Sequence, residues 1–215
     1  MVRNIVTLLG MPGAGKGTQG LSLSKELGVP HVSTGEIFRK MILNNDSKDS
    51  KLLADYMKSG KLIPTDLVNQ IIRQFINSSE CKEGCILDGY PRNLSQAEYF
   101  SKNIDAKLIA ILFDIESDVV VNRILGRISC PSCGKIYNKY FNKPLKDGLC
   151  DSCVSELVIR SDDTEVTILS RIKEYEKETL PLIDYYKSNV QFFTVDASRS
   201  SDVVLKELVS IIKNV

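Results

Sequence analysis

Apolar and polar positions along the chain fall into two alternating kinds of segment. The first kind is short, apolar and rich in β-branched residues: Ile5-Val6-Thr7-Leu8-Leu9, Val29-Pro30-His31-Val32, Cys85-Ile86-Leu87, Leu108 to Phe113 and Gln191 to Val195. Runs of that length predict five buried strands. In the second kind, apolar residues recur at helical spacing. Leu21, Leu23 and Leu27 mark one helix, with Gly28 as its stop signal. Ser33-Thr34-Gly35-Glu36 has capping-box spacing and predicts a helix through Ile37, Phe38, Met41 and Ile42, with Arg39 on the opposite side. A polar loop from Asn44 to Ser50 precedes a helix carrying Leu52, Leu53, Tyr56 and Met57, which ends at Gly60. Pro64-Thr65-Asp66 starts another, with Leu67, Ile71, Ile72 and Phe75. Further helices are expected at 95–102, 116–125 and 201–213, and a long one bearing Arg171 reaches Pro181 or passes it with a kink. Strands alternating with helices predict an α/β fold: a parallel sheet covered on both faces, with its ligand at the carboxyl ends of the strands.

Two segments interrupt that alternation. Residues 33–63 read as a small helical lobe after the second strand, and 126–163 as a polar, cysteine-bearing insertion. The remainder, 1–32, 64–125 and 164–215, is expected to form the core. At 215 residues the chain can bury one core with one or two small lobes; a second full domain is not expected.

Charge narrows the partners. Lys and Arg number 28 against 27 Asp and Glu, a net +1, so no basic excess is available to grip nucleic acid or an anionic membrane. Any cationic site must be local. No apolar run is long enough to span a bilayer, and Met1-Val2-Arg3 leads into a strand instead of a leader; a soluble cytoplasmic protein is the expectation. His31 is the single histidine, which excludes a histidine triad or a His-rich metal site and suggests a neighbour of the sheet's end.

The chemistry begins at Gly10-Met11-Pro12-Gly13-Ala14-Gly15-Lys16-Gly17-Thr18-Gln19, which follows the first strand with the phosphate-loop spacing Gly-x-x-x-x-Gly-Lys, the hydroxyl residue Thr18 coming one place later, after Gly17. Its glycines let successive N–H groups face inward, and the helix beginning near Lys16 adds a positive N-terminal dipole, so phosphate is the natural ligand. Lys16 is expected on the outer phosphates and the Thr18 hydroxyl on Mg²⁺. Asp88, at the end of the third strand, stands where phosphate-loop enzymes hold the magnesium shell through water. Cys130-Pro131-Ser132-Cys133 and Cys150-Asp151-Ser152-Cys153 are Cys-x-x-Cys knuckles 16 residues apart, the spacing of a tetrathiolate zinc ribbon. Four thiolates close the coordination shell, so the metal is expected to be structural, with paired disulfides or a redox motif as the competing readings. Cys81 and Cys85 lack a second pair and read as packing residues. A zinc ribbon could also bind nucleic acid through Tyr137, Tyr140, Phe141 and the lysines between 135 and 146; Asp147, Asp151, Glu156, Asp162 and Asp163 offset that charge and favour a lid.

With the phosphate loop, Ser33-Thr34-Gly35, Asp88-Gly89-Tyr90-Pro91-Arg92 and the cysteine insertion in this order, essentially the whole chain resembles the adenylate kinases with a long lid. The resemblance implies a three-layer, five-stranded parallel sheet of the P-loop nucleoside-monophosphate kinase type. It also implies reversible, Mg²⁺-dependent transfer of the terminal phosphoryl group of ATP to AMP, giving two ADP, by a monomer carrying a structural Zn²⁺. It places Gly13, Ala14, Gly15, Lys16, Gly17 and Thr18 on the ATP phosphates, Arg123 on the ATP adenine, Arg127 on its phosphates, Ile136 and Tyr137 over ATP, and the Arg199 backbone on adenine. It places Thr34, Gly35, Arg39, Lys61, Leu62, Ile63, Gly89, Tyr90, Pro91, Arg92, Gln96, Arg160 and Arg171 on AMP, the last two also as transfer arginines. Two departures are Glu36, where that family commonly has aspartate, and Met11, in place of a smaller loop residue; neither is expected to carry phosphate chemistry. A UMP, CMP or GTP-dependent kinase is the near alternative, although pyrimidine acceptors go with shorter lids. A guanine-reading Asn-Lys-x-Asp is missing, since Pro144-Leu145 follow Asn142-Lys143.

Overall fold

The computed structural model describes residues 3–44 and 49–215. Met1 and Val2, and most of the loop expected between Asn44 and Ser50, lie outside the described residues. Strand β1 (Asn4–Leu9) leads through the glycine-rich loop into helix α1 (Lys16–Leu27). There follow β2 (His31–Ser33), α2 (Thr34–Asn44), α3 (Ser50–Ser59), α4 (Thr65–Ile76), β3 (Gly84–Asp88), α5 (Leu94–Asn103), β4 (Lys107–Asp114) and α6 (Ser117–Leu125). Two short strands, β5 (Arg127–Ser129) and β6 (Ile136–Asn138), precede α7 (Glu165–Glu174), α8 (Leu180–Asn189), β7 (Gln191–Asp196) and α9 (Ser201–Lys213).

The main sheet has the order β2-β3-β1-β4-β7, parallel throughout. Both of its faces are buried, as the apolar runs required, and the alternation of side chains sorts them cleanly. Ile5 and Leu9 of β1, with Leu108 and Ala110 of β4, join one core with Ile72 of α4, Phe100 of α5 and Leu182 of α8. Val6 and Leu8, with Ile109, Ile111 and Phe113, join the other with Leu23 of α1 and Val204 and Leu208 of α9. Thr7 is the polar exception; fully buried, it donates its hydroxyl to the Tyr90 carbonyl at 2.8 Å and ties β1 to the chain leaving β3. Strand β1 therefore sits at the centre with its carboxyl end opening into the phosphate loop, the position a ligand site takes in such sheets.

Several local expectations are corrected. The capping box does not form: Ser33 ends β2, the helix begins at Thr34, and the Glu36 carboxylate is taken by arginines. On α4 the buried side is Val68, Asn69, Ile71, Ile72 and Ile76, while Phe75 faces solvent. On α1 the buried stripe is Gln19, Gly20 and Leu23, whereas Leu21 turns to the cleft. The long helix does pass Pro181, and it does so through a π-helical turn at Tyr175–Thr179, a local widening of the helix just before the residue that lacks an N–H. Among the described residues no helix is long and apolar enough to cross a membrane.

Candidate active site

The carboxyl ends of the sheet open into one cleft of about 960 Å³. The phosphate loop forms its floor. Gly10, Gly13 and Gly15 take φ of 135°, 85° and 96°, a region that side-chain-bearing residues rarely enter, and a Cβ on Gly13 would stand 2.9 Å from the Val120 carbonyl. Helix α1 starts at the loop with no acidic residue in its first turn, leaving its N-terminal dipole uncompensated. Lys16 Nζ donates to the Gly10 and Met11 carbonyls at 2.6 and 2.7 Å. Burial lowers its pKa to about 8, helped by Arg92 and Arg127 and opposed by Asp88.

Asp88 ends β3 beside this loop. Burial works to raise its pKa, but His31, Lys16 and Arg92 together hold it down to about 2. The carboxylate thus stays charged, and its Oδ2 lies 3.6 Å from His31 Nε2. The single histidine is a neighbour of the sheet's carboxyl end, as anticipated.

The remaining walls come from three parts of the chain. Every residue assigned to ATP or AMP by resemblance lines this cleft except Tyr90, whose side chain is buried beneath it and donates to Asn69 Oδ1 at 2.7 Å. Gly89, Pro91 and Arg92 surround that position at a cis Tyr90–Pro91 bond. Arg92 Nε donates to the Gly89 carbonyl at 2.8 Å, and Thr179 Oγ1 donates to the Arg92 carbonyl at 2.7 Å. Gln96, 1% exposed, accepts the Arg92 N–H on Oε1 at 2.7 Å, which leaves its NH₂ end for a ligand. Thr34 Oγ1 donates to the Gly89 carbonyl at 3.0 Å. The 61–63 segment is tied to α7, where Glu174 Oε1 accepts the Leu62 N–H at 3.3 Å.

Guanidinium groups dominate the rest. Arg39 pairs with Glu36 at 2.8 Å and Asp162 at 3.5 Å, and Arg160 pairs with Glu36. Arg127 forks onto Asp163, Nε to Oδ2 at 2.7 Å and a terminal N–H to Oδ1, while Arg171 pairs with Asp162 and stands 3.6 Å from Asp163. Burial lowers the pKa of Arg160 to about 10, and its neighbours Arg127 and Arg39 act in the same direction. Burial also raises the carboxyl pKa of Glu36 and Asp162, yet the arginines override it and both end below the ordinary range. Arg123 donates to the Ala197 carbonyl at 3.0 Å, and the Arg199 guanidinium is tied to the Asp196 carbonyl and Glu207. Ile136 reaches down from β6 to the loop, so that a Cβ on Gly17 would meet its Cδ1 at 3.1 Å.

The second cluster lies in the 126–163 insertion, on its own two-stranded sheet. Sγ atoms of Cys130, Cys133, Cys150 and Cys153 all lie within 4.8 Å of one another, with 3.3 Å between Cys130 and Cys153 and 3.6 Å between Cys133 and Cys150. A tetrahedral thiolate site with metal–sulfur bonds of about 2.3 Å requires sulfurs roughly 3.8 Å apart, so the donor set fits one metal ion. Tyr137 belongs to both clusters. It lines the cleft, yet its ring is buried with Cys130 and Cys150, its hydroxyl donating to Cys150 Sγ at 3.5 Å and accepting the Asp151 N–H at 2.8 Å.

The sequence reading missed Glu36 and Glu174 as acceptors at the cleft, and Thr179 as a support for Arg92. Only Asp162 and Asp163 carried a local signal, their place just after Arg160. A family model described as adenylate kinase matches residues 8–191. The adenylate kinases of Rickettsia africae (strain ESF-5) and Rickettsia peacockii (strain Rustic) are 48% and 47% identical to the chain over 210 residues, covering 97% of it and 99% of each relative. That of Rickettsia typhi (strain ATCC VR-144 / Wilmington) is 46% identical over 211 residues.

Proposed function

The chain belongs to the adenylate kinase family, phosphotransferases that exchange the terminal phosphoryl group between ATP and AMP, and from that premise we propose how its residues divide the work. Lys16, with the main-chain N–H groups of residues 13–18, holds the ATP phosphates; Arg123 and the Arg199 backbone hold its adenine; Ile136 and Tyr137 cover it. Thr34, Gly35, Arg39, Lys61, Leu62, Ile63, Gly89, Tyr90, Pro91, Arg92 and Gln96 form the AMP side together with Arg160 and Arg171, Tyr90 from below through its main chain. Thr18 would place its hydroxyl on the Mg²⁺ that accompanies ATP and Asp88 would hold the ion's water shell, and the bound ion would offset phosphate charge there.

Donor and acceptor are both polyanions, so their mutual repulsion is the principal obstacle. Arg92, Arg127, Arg160 and Arg171, with Lys16, supply forked donors for the equatorial oxygens of the moving group. The acceptor is an ionised phosphate and needs no strong general base, which agrees with a site whose single imidazole faces Asp88. The reading divides the chain into a core (1–32, 64–125, 164–215), an AMP lobe (33–63) and a lid (126–163) that exclude water by closing on both substrates. Zn²⁺ in the thiolate quartet would staple the lid, which has only Ile128, Cys130, Tyr137 and Cys150 as its own core. A cytoplasmic monomer completes the reading.

The observation that carries it is convergence: Lys16 from the core, Arg39 from the lobe, and Arg127 and Arg160 from the insertion all face one cleft. The test is a coupled assay of ADP formation from Mg·ATP with AMP, UMP, CMP and GMP in turn. Two ADP per AMP and little product from the others is expected; no ADP from ATP and AMP would refute the reading.

A further inference from the structure

Gln19 lies just past the phosphate loop, on the first turn of α1. It is 5% exposed, yet its side chain crosses to the far end of the sequence, where Nε2 donates to both the Ser201 carbonyl and Ser201 Oγ at 2.9 Å each. A carbonyl can only accept, so the amide nitrogen faces Ser201 and Oε1 must point the other way. That Oε1 is buried and has no hydrogen-bond partner among the described residues. An orphaned buried acceptor is a standing cost, which marks the orientation as kept for what the nitrogen holds.

What it holds is the loop between β7 and α9. Residues 197–200 of that loop line the same cleft. Arg123, from α6, grips the loop's beginning at the Ala197 carbonyl; Gln19, from α1, grips Ser201, the first residue of α9, where the loop ends. Between these anchors Ser198 folds back by its N–H and hydroxyl onto the Asp196 carboxylate, at 2.9 and 2.6 Å. The helix that begins at the phosphate loop is therefore bolted directly to the loop that faces the donor base.

We propose that Gln19 is a positioning residue that sets donor-base specificity, by fixing residues 197–200 at a constant distance from the phosphate loop. A base is read by main-chain groups only if they stay still; with the phosphates anchored at α1 and the base loop tied to that helix, a purine with the wrong edge cannot be accommodated by sliding. The proposal stands on the reading that the donor base lies between Arg123 and residues 197–200.

The test is Gln19→Met, which keeps the volume and removes both bonds, assayed for steady-state constants with ATP and with GTP as donor. The KM for ATP is expected to rise about tenfold and the ATP:GTP ratio of kcat/KM to fall severalfold, the loss of one to two neutral hydrogen bonds. The KM for AMP and the kcat at saturating ATP should stay within about twofold, since neither depends on the base loop. An unchanged ATP KM and donor ratio would overturn the proposal. So would ATP and AMP constants rising together with a fallen melting temperature, the pattern of a merely structural residue. If Gln19→Met does not fold, Ser201→Ala removes one of the two acceptors while leaving Gln19 in place. It should raise the ATP KM about threefold without touching that for AMP, and no change there would equally overturn the proposal. A wild-type protein making no ADP would sink the functional reading instead, whereas an active wild type beside an unaltered Gln19→Met sinks only this inference.

Discussion

Glu36→Gln should tighten the binding of AMP. The carboxylate accepts from Arg39 at 2.8 Å and from Arg160, two guanidinium groups assigned to the acceptor phosphate, so an arriving phosphate must take them from Glu36 or bind next to its charge. Both routes cost the acceptor affinity. Glutamine keeps the length, and its Oε1 can still accept from either arginine, so the guanidinium groups stay roughly where they are while the competing charge disappears. Solvent limits the gain: the Glu36 side chain is 35% exposed, against 22% for Arg39 and 10% for Arg160. Exposed pairs contribute about 0–1 kcal/mol, and a half-buried carboxylate with two partners belongs at the top of that range. A gain of about 1 kcal/mol corresponds to a roughly fivefold lower AMP KM. The assay varies AMP at saturating Mg·ATP, and the ATP KM serves as control because Glu36 pairs with no group assigned to ATP alone. The advantage should shrink as salt rises toward about 1 M, where the screening length is only about 3 Å. An AMP KM that stays constant or rises, with the fold intact, would refute the claim that Glu36 competes with the acceptor.

Four further outcomes are expected. Arg92→Lys should lose transfer rate by about two orders of magnitude or more at near-normal melting temperature, because a point charge cannot fork onto phosphate; single-turnover rates check it. Cys130→Ser, or removal of metal by a chelator, should lower the melting temperature far more than it lowers activity in the cold; activity vanishing at unchanged thermal stability would exclude a structural metal. Asp162 has its pKa depressed by Arg171, Arg39 and Arg160 in spite of burial, so its stabilisation is present above the unfolded value of about 3.9 and is lost as pH falls through the lower folded one. Asp162→Asn should therefore flatten the acid side of a melting-temperature profile below about pH 4 and lower its plateau. Val154, with φ of 59° and an exposed side chain, occupies the place after the second knuckle that Gly134, φ 75°, occupies after the first. Val154→Gly should relieve about 1–2 kcal/mol of backbone strain, less about 0.5–1 kcal/mol of glycine entropy, and slow metal loss to a chelator.

The sequence displayed whatever is encoded over short spans. The strands, the phosphate loop and the cysteine quartet are each written in a few neighbouring residues, and the five strands and four thiols stand where their spacing put them. What stayed hidden depends on partners far apart in the chain. Ser33-Thr34-Gly35-Glu36 has the letters of a capping box, but Arg160, 124 residues away, offers the Glu36 carboxylate a full charge where the helix end offers a dipole. The bond from Gln19 to Ser201 spans 182 residues and has no local signature at all. Tyr90 stands among the residues the resemblance places on AMP, and its hydroxyl finds Asn69 in the core, a pairing no motif specifies.

The same long-range pairing explains how so many cations share one cleft before any phosphate arrives. Left alone, Arg39, Arg127, Arg160 and Arg171 would repel one another in a partly desolvated space, and the fold would bear that cost. Glu36, Asp162 and Asp163 offset it, but not equivalently: their side chains are 35%, 5% and 0% exposed. A carboxylate that is fully buried cannot leave its arginine without stranding a charge, so Asp163 on Arg127 and Asp162 on Arg171 belong to the permanent frame of the site. Glu36 has water on one side and can surrender its partners at small cost. It follows that charge removal should separate the three: at Asp162 and Asp163 it should appear as lost stability, and at Glu36 as gained affinity for the acceptor.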